Sequence, residues 1–156
     1  MKYLLSAFLI LVSFTLCLAS FGKDDKQTST QNNEKPNNPI LSKMKITVGS
    51  SVFTATLYNN ATTKAFKAML PLTINMSELN GNEKFYYFSS TLPTNATTGK
   101  NIQTGDLMLY GNNCLVLFYE NLNTSYSYTR LGKIDTISGL ASTLGNGNVI
   151  VKFELE

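Results

Sequence analysis

The chain has 156 residues, 43% hydrophobic and 15% charged, with a formal charge of +3 at pH 7, which suits one domain plus appendages rather than two full domains. Its basic residues are spread singly from Lys23 to Lys152, so there is no stripe to neutralise a run of phosphates and nucleic acid is not an expected partner. There is no His, which removes the Ser-His-Asp and Cys-His nucleophile arrangements, the H-E-x-x-H zinc site and the usual neutral-pH general base together.

Met1-Lys2-Tyr3 gives a short positive start, and Leu4 to Leu18 then runs fifteen residues of which only Ser6, Ser13 and Thr15 are polar. That is the build of a secretory signal peptide, and it is shorter than the ~20 residues of a usual membrane span. The small-x-small rule for cleavage is met at Ser20-Phe21-Gly22, so residues 1–22 are expected to leave and the product to be exported, to a periplasm, a cell envelope or the medium. Cys17, near the end of the apolar run, is a possible site of lipid attachment, although Leu16 before it is bulky where such sites carry Gly, Ala or Ser. Contact with a membrane is expected only through the signal or such an anchor. If Cys17 is removed, Cys114 is the one thiol of the mature chain and no internal disulfide can form.

Residues 23–43 hold only Ile40 and Leu41 as apolar side chains among Gln, Asn, Thr, Ser, Lys, Asp, Glu and two Pro, a composition that cannot bury enough to order itself. As a soft coil this polar linker would span roughly 25 Å. Residues 44–156 then carry 8 basic and 7 acidic groups, net +1, and form the one expected core-bearing domain.

Within that domain the pattern is mostly strand. Lys45–Val48 and Val52–Leu57 alternate polar and apolar around Gly49-Ser50, a hairpin pattern. Asn59 or Asn60 is placed to cap a helix over Ala61–Leu70, whose Ala65, Phe66, Met69 and Leu70 share a face and which Pro71 ends. Short strands are predicted at Thr73–Glu78, Lys84–Phe88, Asp106–Tyr110, Leu115–Tyr119 and Leu131–Asp135, with Cys114 a small core residue at the head of a run that is apolar on both faces. A second helix over Ser138–Leu144 stops at Gly145, and Gly145-Asn146-Gly147 turns the chain into a final strand, Val149–Leu155. Many short strands with two helices predict a mainly β fold, a closed β-barrel with two short helices over its ends.

The order of these pieces resembles a known family. Leu57-Tyr58-Asn59-Asn60-Ala61-Thr62-Thr63-Lys64-Ala65-Phe66 resembles the strand, polar turn and K-T-A-x-N-F helix that open a cyclophilin. Gly105–Tyr110 and Leu115–Phe118 are similar to its G-D and F-F-I barrel strands. Leu131-Gly132-Lys133-Ile134 followed by Gly139-Leu140 is similar to its F-G-K-V strand and second helix. Across most of residues 44–156 the chain is most similar to bacterial cyclophilin-like domain proteins. The resemblance implies a cyclophilin-like barrel with a groove in which peptidyl-prolyl isomerases hold their substrate.

The same resemblance exposes what is missing. The isomerase groove needs an Arg on the prolyl carbonyl, and Pro71 to Phe88 contains none; the groove His falls on Tyr128, and Trp is absent. Loss of the group that stabilises the developing charge is worth about 10²-fold or more in rate. Phe118 matches a groove phenylalanine. Asn123 to Arg130 alternates so that Tyr126 and Tyr128 lie on one side with Arg130, the only Arg, nearby, and Tyr and Arg are the residue types of binding hot spots. The expected site is therefore Phe118, Tyr126, Tyr128 and Arg130, with no catalytic residue, metal or cofactor. Tyr86, Tyr87 and Phe88, with Met76, are candidates for the opposite wall. Alternatively, Tyr126 and Tyr128 simply cover a barrel face.

The acids Glu78, Glu83, Asp106, Glu120 and Asp135 stand isolated among neutral neighbours and are expected to be solvated or to cap turns. Four N-x-[ST] triplets begin at Asn60, Asn75, Asn95 and Asn123; such triplets arise by chance in an Asn- and Thr-rich chain. No phosphate-binding or nucleophile-elbow glycine motif is present. The functional expectation is an exported, non-catalytic barrel that binds a peptide segment or small ligand in the former isomerase groove. The alternatives are an isomerase that uses Arg130 from a new direction, and a structural or assembly component of the cell envelope.

Overall fold

A glycine at the first position of a two-residue turn lets two short strands twist onto each other without splaying. In the computed structural model, which describes residues 41–156, the signal segment, Cys17 and all of the linker up to residue 40 lie outside the described residues. Gly49, at φ 57°, joins β1 (Lys43–Val48) to β2 (Ser51–Leu57) with Val48 paired to Ser51. Alternation then sends Met44, Ile46 and Val48 of β1 and Phe53, Ala55 and Leu57 of β2 into one core.

Asn60 caps α1 (Ala61–Lys67), its side chain accepting the Thr63 N–H at 2.8 Å while its amide donates to the Arg130 carbonyl at 2.8 Å. The helix is one turn shorter than the predicted Ala61–Leu70. Met69 and Leu70 donate to the carbonyls three residues back instead of four, a tightened end before Pro71, which cannot continue a helix.

The remaining elements are β3 (Leu72–Leu79), β4 (Glu83–Tyr87), β5 (Thr97–Thr98), β6 (Asp106–Tyr110), β7 (Cys114–Phe118), β8 (Ser127–Ile134), α2 (Leu140–Leu144) and β9 (Val149–Leu155). All strand pairings are antiparallel, in the order β2-β1-β9-β3-β4-β7-β6-β8, and β2 pairs β8 to close a barrel of eight strands, with β5 appended to β8. The predicted closed barrel with two short helices is the observed fold. β8 is longer than the predicted Leu131–Asp135: it begins at Ser127, where Tyr128 pairs with both Thr97 and Tyr110. Ser127 to Arg130 carry hydroxyls and charge on both faces, so no apolar alternation marks them as strand. β5 is too short to leave a pattern.

The barrel interior is filled by aliphatic side chains and by Phe53, Phe66, Phe88, Tyr119 and Phe153, with Phe66 from α1 and Leu140 and Leu144 from α2 joining it. A second apolar cluster lies on the other face of β7, β6 and β8: Ile102, Met108, Cys114, Val116, Phe118 and Tyr128. This is why β7 is apolar on both sides. Leu115 and Leu117 face the barrel while Cys114, Val116 and Phe118 face the second cluster.

Two features hold the barrel shut at its sides and end. At the β2–β8 seam Leu57 pairs with Gly132, and a Cβ on Gly132 would lie 2.6 Å from the Thr56 carbonyl oxygen, so only glycine fits. Gly132→Val is expected to force the seam apart and lower stability by about 1–3 kcal/mol, read as a lower urea midpoint. Elsewhere the fully buried Lys84 places its ammonium against the Glu78 carboxylate, donates to the carbonyls of Gly145 and Gly147 at 2.7 Å each, and sits 5.2 Å from the centre of the Tyr119 ring.

Candidate functional site

Period-two alternation gives β4 two different faces. Lys84, Tyr86 and Phe88 turn toward the barrel interior, with Tyr86 and Phe88 packed in its core, whereas Glu83, Phe85 and Tyr87 look outward. On that outer side a cleft of about 410 Å³ opens over the second apolar cluster, within the size range of small-molecule sites. Glu83, Phe85 and Tyr87 form one wall and Tyr110, Tyr126 and Tyr128 the other; Cys114 and Val116 of β7 lie between them, and the β3–β4 turn and Leu122–Thr124 complete the rim.

The wall of tyrosines is a packed unit. Tyr110 meets Tyr126 edge-on at 5.9 Å between ring centres and Tyr128 at a tilt at 5.4 Å, and Tyr128 in turn stands edge-on to Phe118 at 5.6 Å. Such pairs are worth about 0.5–1.5 kcal/mol each beyond the area they bury, so Tyr128 is held in place from both sides. Across the cleft Phe85 and Tyr87 pair edge-on at 5.8 Å. Burial, then the Glu83 carboxylate, pushes the Tyr128 hydroxyl up to about 12, and burial raises the Cys114 thiol. Both are protonated at neutral pH, and a thiol of this kind is a poor nucleophile.

Glu83 is the one charged residue in the lining. It is 8% exposed, and among the described residues no hydrogen bond or ion pair reaches its carboxylate. Burial, and secondarily the charge of Glu78, raise its carboxyl above the ordinary value near 4.5. An acid raised on folding holds its proton more tightly in the folded chain than in the unfolded one, so ionising it costs stability. That cost is absent below the ordinary value and complete once pH exceeds the folded-state value. Glu83→Gln is therefore expected to be more stable than the parent at pH 8, with the difference closing as pH falls toward 4; chemical unfolding at several pH values reads it directly.

The sequence-predicted residues are distributed as follows. Tyr126 and Tyr128 both line the cleft, Tyr126 at 61% exposure and Tyr128 at 6%. Phe118 is fully buried beneath Tyr128 and supports the wall from behind. Arg130 does not line the cleft: its guanidinium lies 3.3 Å from a carboxylate oxygen of the buried Asp106, whose other oxygen is 3.6 Å from Lys133. Of the candidates for the opposite wall, Tyr87 is in the cleft while Tyr86, Phe88 and Met76 belong to the barrel core.

Sequence reasoning missed Tyr110, Phe85 and Glu83. The acids also need correction. Glu83 and Asp106 are buried, not solvated: β4 carries Glu83 into the cleft lining, and Asp106 at the start of β6 is held by Arg130 and Lys133, although it does cap a turn by accepting the Gln103 N–H at 3.0 Å. The parity of β4 was the available signal: Glu83, Phe85 and Tyr87 share one side of a strand whose other side holds Lys84 and Tyr86. Among the described residues no three Cys, Asp or Glu side chains converge as a metal site would require.

Residues 46–154 match the model of the cyclophilin-like family. No curated protein matches the chain. Among solved structures, the solution structure of a hypothetical protein from Archaeoglobus fulgidus is similar with a TM-score of 0.57 at 15% identity, over 78% of this chain and 99% of that one; that likeness is one of fold.

Proposed function

Because the chain belongs to the cyclophilin-like family, whose fold it shares, we propose that it is a non-catalytic ligand-binding member, holding a peptide segment or small molecule in the cleft between β4 and the tyrosines of β6 and β8. The observation that carries this reading is the cleft itself: about 410 Å³ walled by Phe85 and four tyrosines, large stiff faces of the kind that make binding hot spots. Arg130, the only guanidinium in the chain, is engaged by Asp106 away from that space, which leaves no cation beside a bound carbonyl to assist isomerisation.

Exchange spectroscopy by NMR on Ala-Pro and Gly-Pro peptides, with catalytic amounts of the full chain, tests the catalytic side. No acceleration of cis/trans exchange is expected; acceleration that Arg130→Ala removes would overturn the reading. A fragment screen followed on the methyl signals of Val116 and Leu122 tests the binding side. Hits are expected to shift those methyls and to weaken in Tyr126→Ala, and hits that map consistently elsewhere would refute the site.

The apolar run Leu4–Leu18 behind Lys2 supports placing this activity outside the cytoplasm. N-terminal sequencing of the protein recovered from its native cells should then begin between residues 20 and 23, or at a lipid-modified Cys17. Recovery of the intact Met1 terminus from the cytoplasm would overturn export.

A further inference from the structure

The cleft has a chemical bias that narrows its ligand. Of the residues that line it, Glu83 alone carries a charge, although the whole chain is net positive. The residue is 8% exposed, and its carboxylate accepts no hydrogen bond from the described residues. Next to it in the chain, Asn82 lines the same cleft, and its Oδ1 is buried without a hydrogen-bond partner. Both groups are acceptors, so what the cleft calls for is a donor, and the buried Asn82 oxygen left unpaired is costly. Opposite stand the rings of Tyr110, Tyr126 and Tyr128, with Tyr87 on the near wall. Aromatic faces are the negative side of a quadrupole and attract cations held within about 6 Å.

Resting on the binding function proposed above, we infer that the ligand carries a protonated aliphatic amine, whose N–H groups meet Glu83 and whose alkyl carbons lie along the tyrosine rings. A neutral alcohol brings a single O–H, a poorer match to two unpaired acceptors than an ammonium with several N–H donors. A carboxylate ligand would set like charge against Glu83 and is repelled. A quaternary ammonium would suit the rings but has no N–H for either acceptor. The raised Glu83 carboxyl supports the assignment, because an incoming ammonium is the partner that returns such an acid to its ionised form. The amine can belong to a small free molecule or to the lysine side chain of a peptide; the chemistry at the cleft is the same.

The test titrates the full chain with n-butylammonium, Nα-acetyl-lysine methylamide, tetramethylammonium, n-butanol and butyrate, following the Val116 and Leu122 methyls. Butylammonium or the lysine derivative is expected to bind on the order of tenfold more tightly than the alcohol and butyrate, as charge-assisted hydrogen bonding provides, and the tighter of the two amines identifies the source. Glu83→Gln, which keeps the shape and is expected to fold at least as well, should remove most of that preference. Binding of butanol or butyrate at equal strength, tetramethylammonium outcompeting the amines, or full amine binding by Glu83→Gln would each overturn the amine while leaving the cleft a ligand site. If no probe moves the cleft methyls, or all act elsewhere, the amine assignment fails and the binding function falls with it.

Discussion

Lys84→Ala is expected to lower unfolding stability by about 3–5 kcal/mol, the usual cost of removing one member of a buried, hydrogen-bonded charge pair. The wild-type ammonium is fully buried, pairs with Glu78 and satisfies two carbonyls, Gly145 and Gly147, just beyond α2. Alanine leaves both carbonyls without their donor, strips Glu78 of its counter-charge and opens a void beside Tyr119. Burial pushes the Glu78 carboxyl up, but the hydrogen bonds from Lys84, Tyr119 and Gly81 outweigh it and the net shift is downward. An acid lowered on folding stabilises the fold above its unfolded value near 4.5, and that contribution is lost as pH falls through the folded-state value. The penalty of Lys84→Ala should therefore shrink in acid. Lys84→Met restores volume but no donor and is expected to recover only a minor part. By contrast the exposed Lys43–Asp135 pair at 2.9 Å is worth at most about 1 kcal/mol, so Lys43→Ala makes a fair control in the same urea titration. A loss for Lys84→Ala no larger than the control's would show that water replaces the interior cation at no cost.

Phe66→Ala is expected to be of similar size, about 3–5 kcal/mol, but for a different reason: it empties the core and breaks no polar network. Phe66 is fully buried and meets Phe153 edge-on at 6.1 Å and Phe88 at a tilt at 6.4 Å, so one side chain links α1 to the end of β4 and to β9. Because nothing ionisable is involved, the loss should be the same at pH 8 and at a pH below the 4.5 of an ordinary carboxyl, where the penalty of Lys84→Ala shrinks. Phe66→Leu retains most of the contact and should cost less than half as much. Scanning calorimetry of the three proteins at both pH values reads the comparison.

Much of the fold was legible because strict alternation and glycine turns write themselves into short strands. The β1–β2 hairpin, β6 and β9 lie where the pattern places them, and the Asn60 cap and Pro71 bracket α1. What was hidden is where tertiary pairing overrides pattern. Ser127 to Arg130 form strand because Tyr128 finds Thr97 on one side and Tyr110 on the other, partners remote in sequence. Of the site, Tyr126 and Tyr128 were visible as an alternating pair. Glu83 was not, since an isolated acid between Asn82 and Lys84 looks like any solvated turn residue until the sheet covers it. Lys84 beside it was equally opaque: adjacent residues on one strand face opposite environments, and here one charge enters the barrel while the other enters the cleft.

The two-sided strand β7 divides the labour of the molecule between alternate residues. Leu115 and Leu117 belong to the barrel, while Cys114 and Val116 belong to the cleft. A change of volume at Cys114 or Val116 alters the cleft floor and the second cluster while leaving the Leu115 and Leu117 packing of the barrel interior in place, so one five-residue strand encodes two spaces through alternate positions.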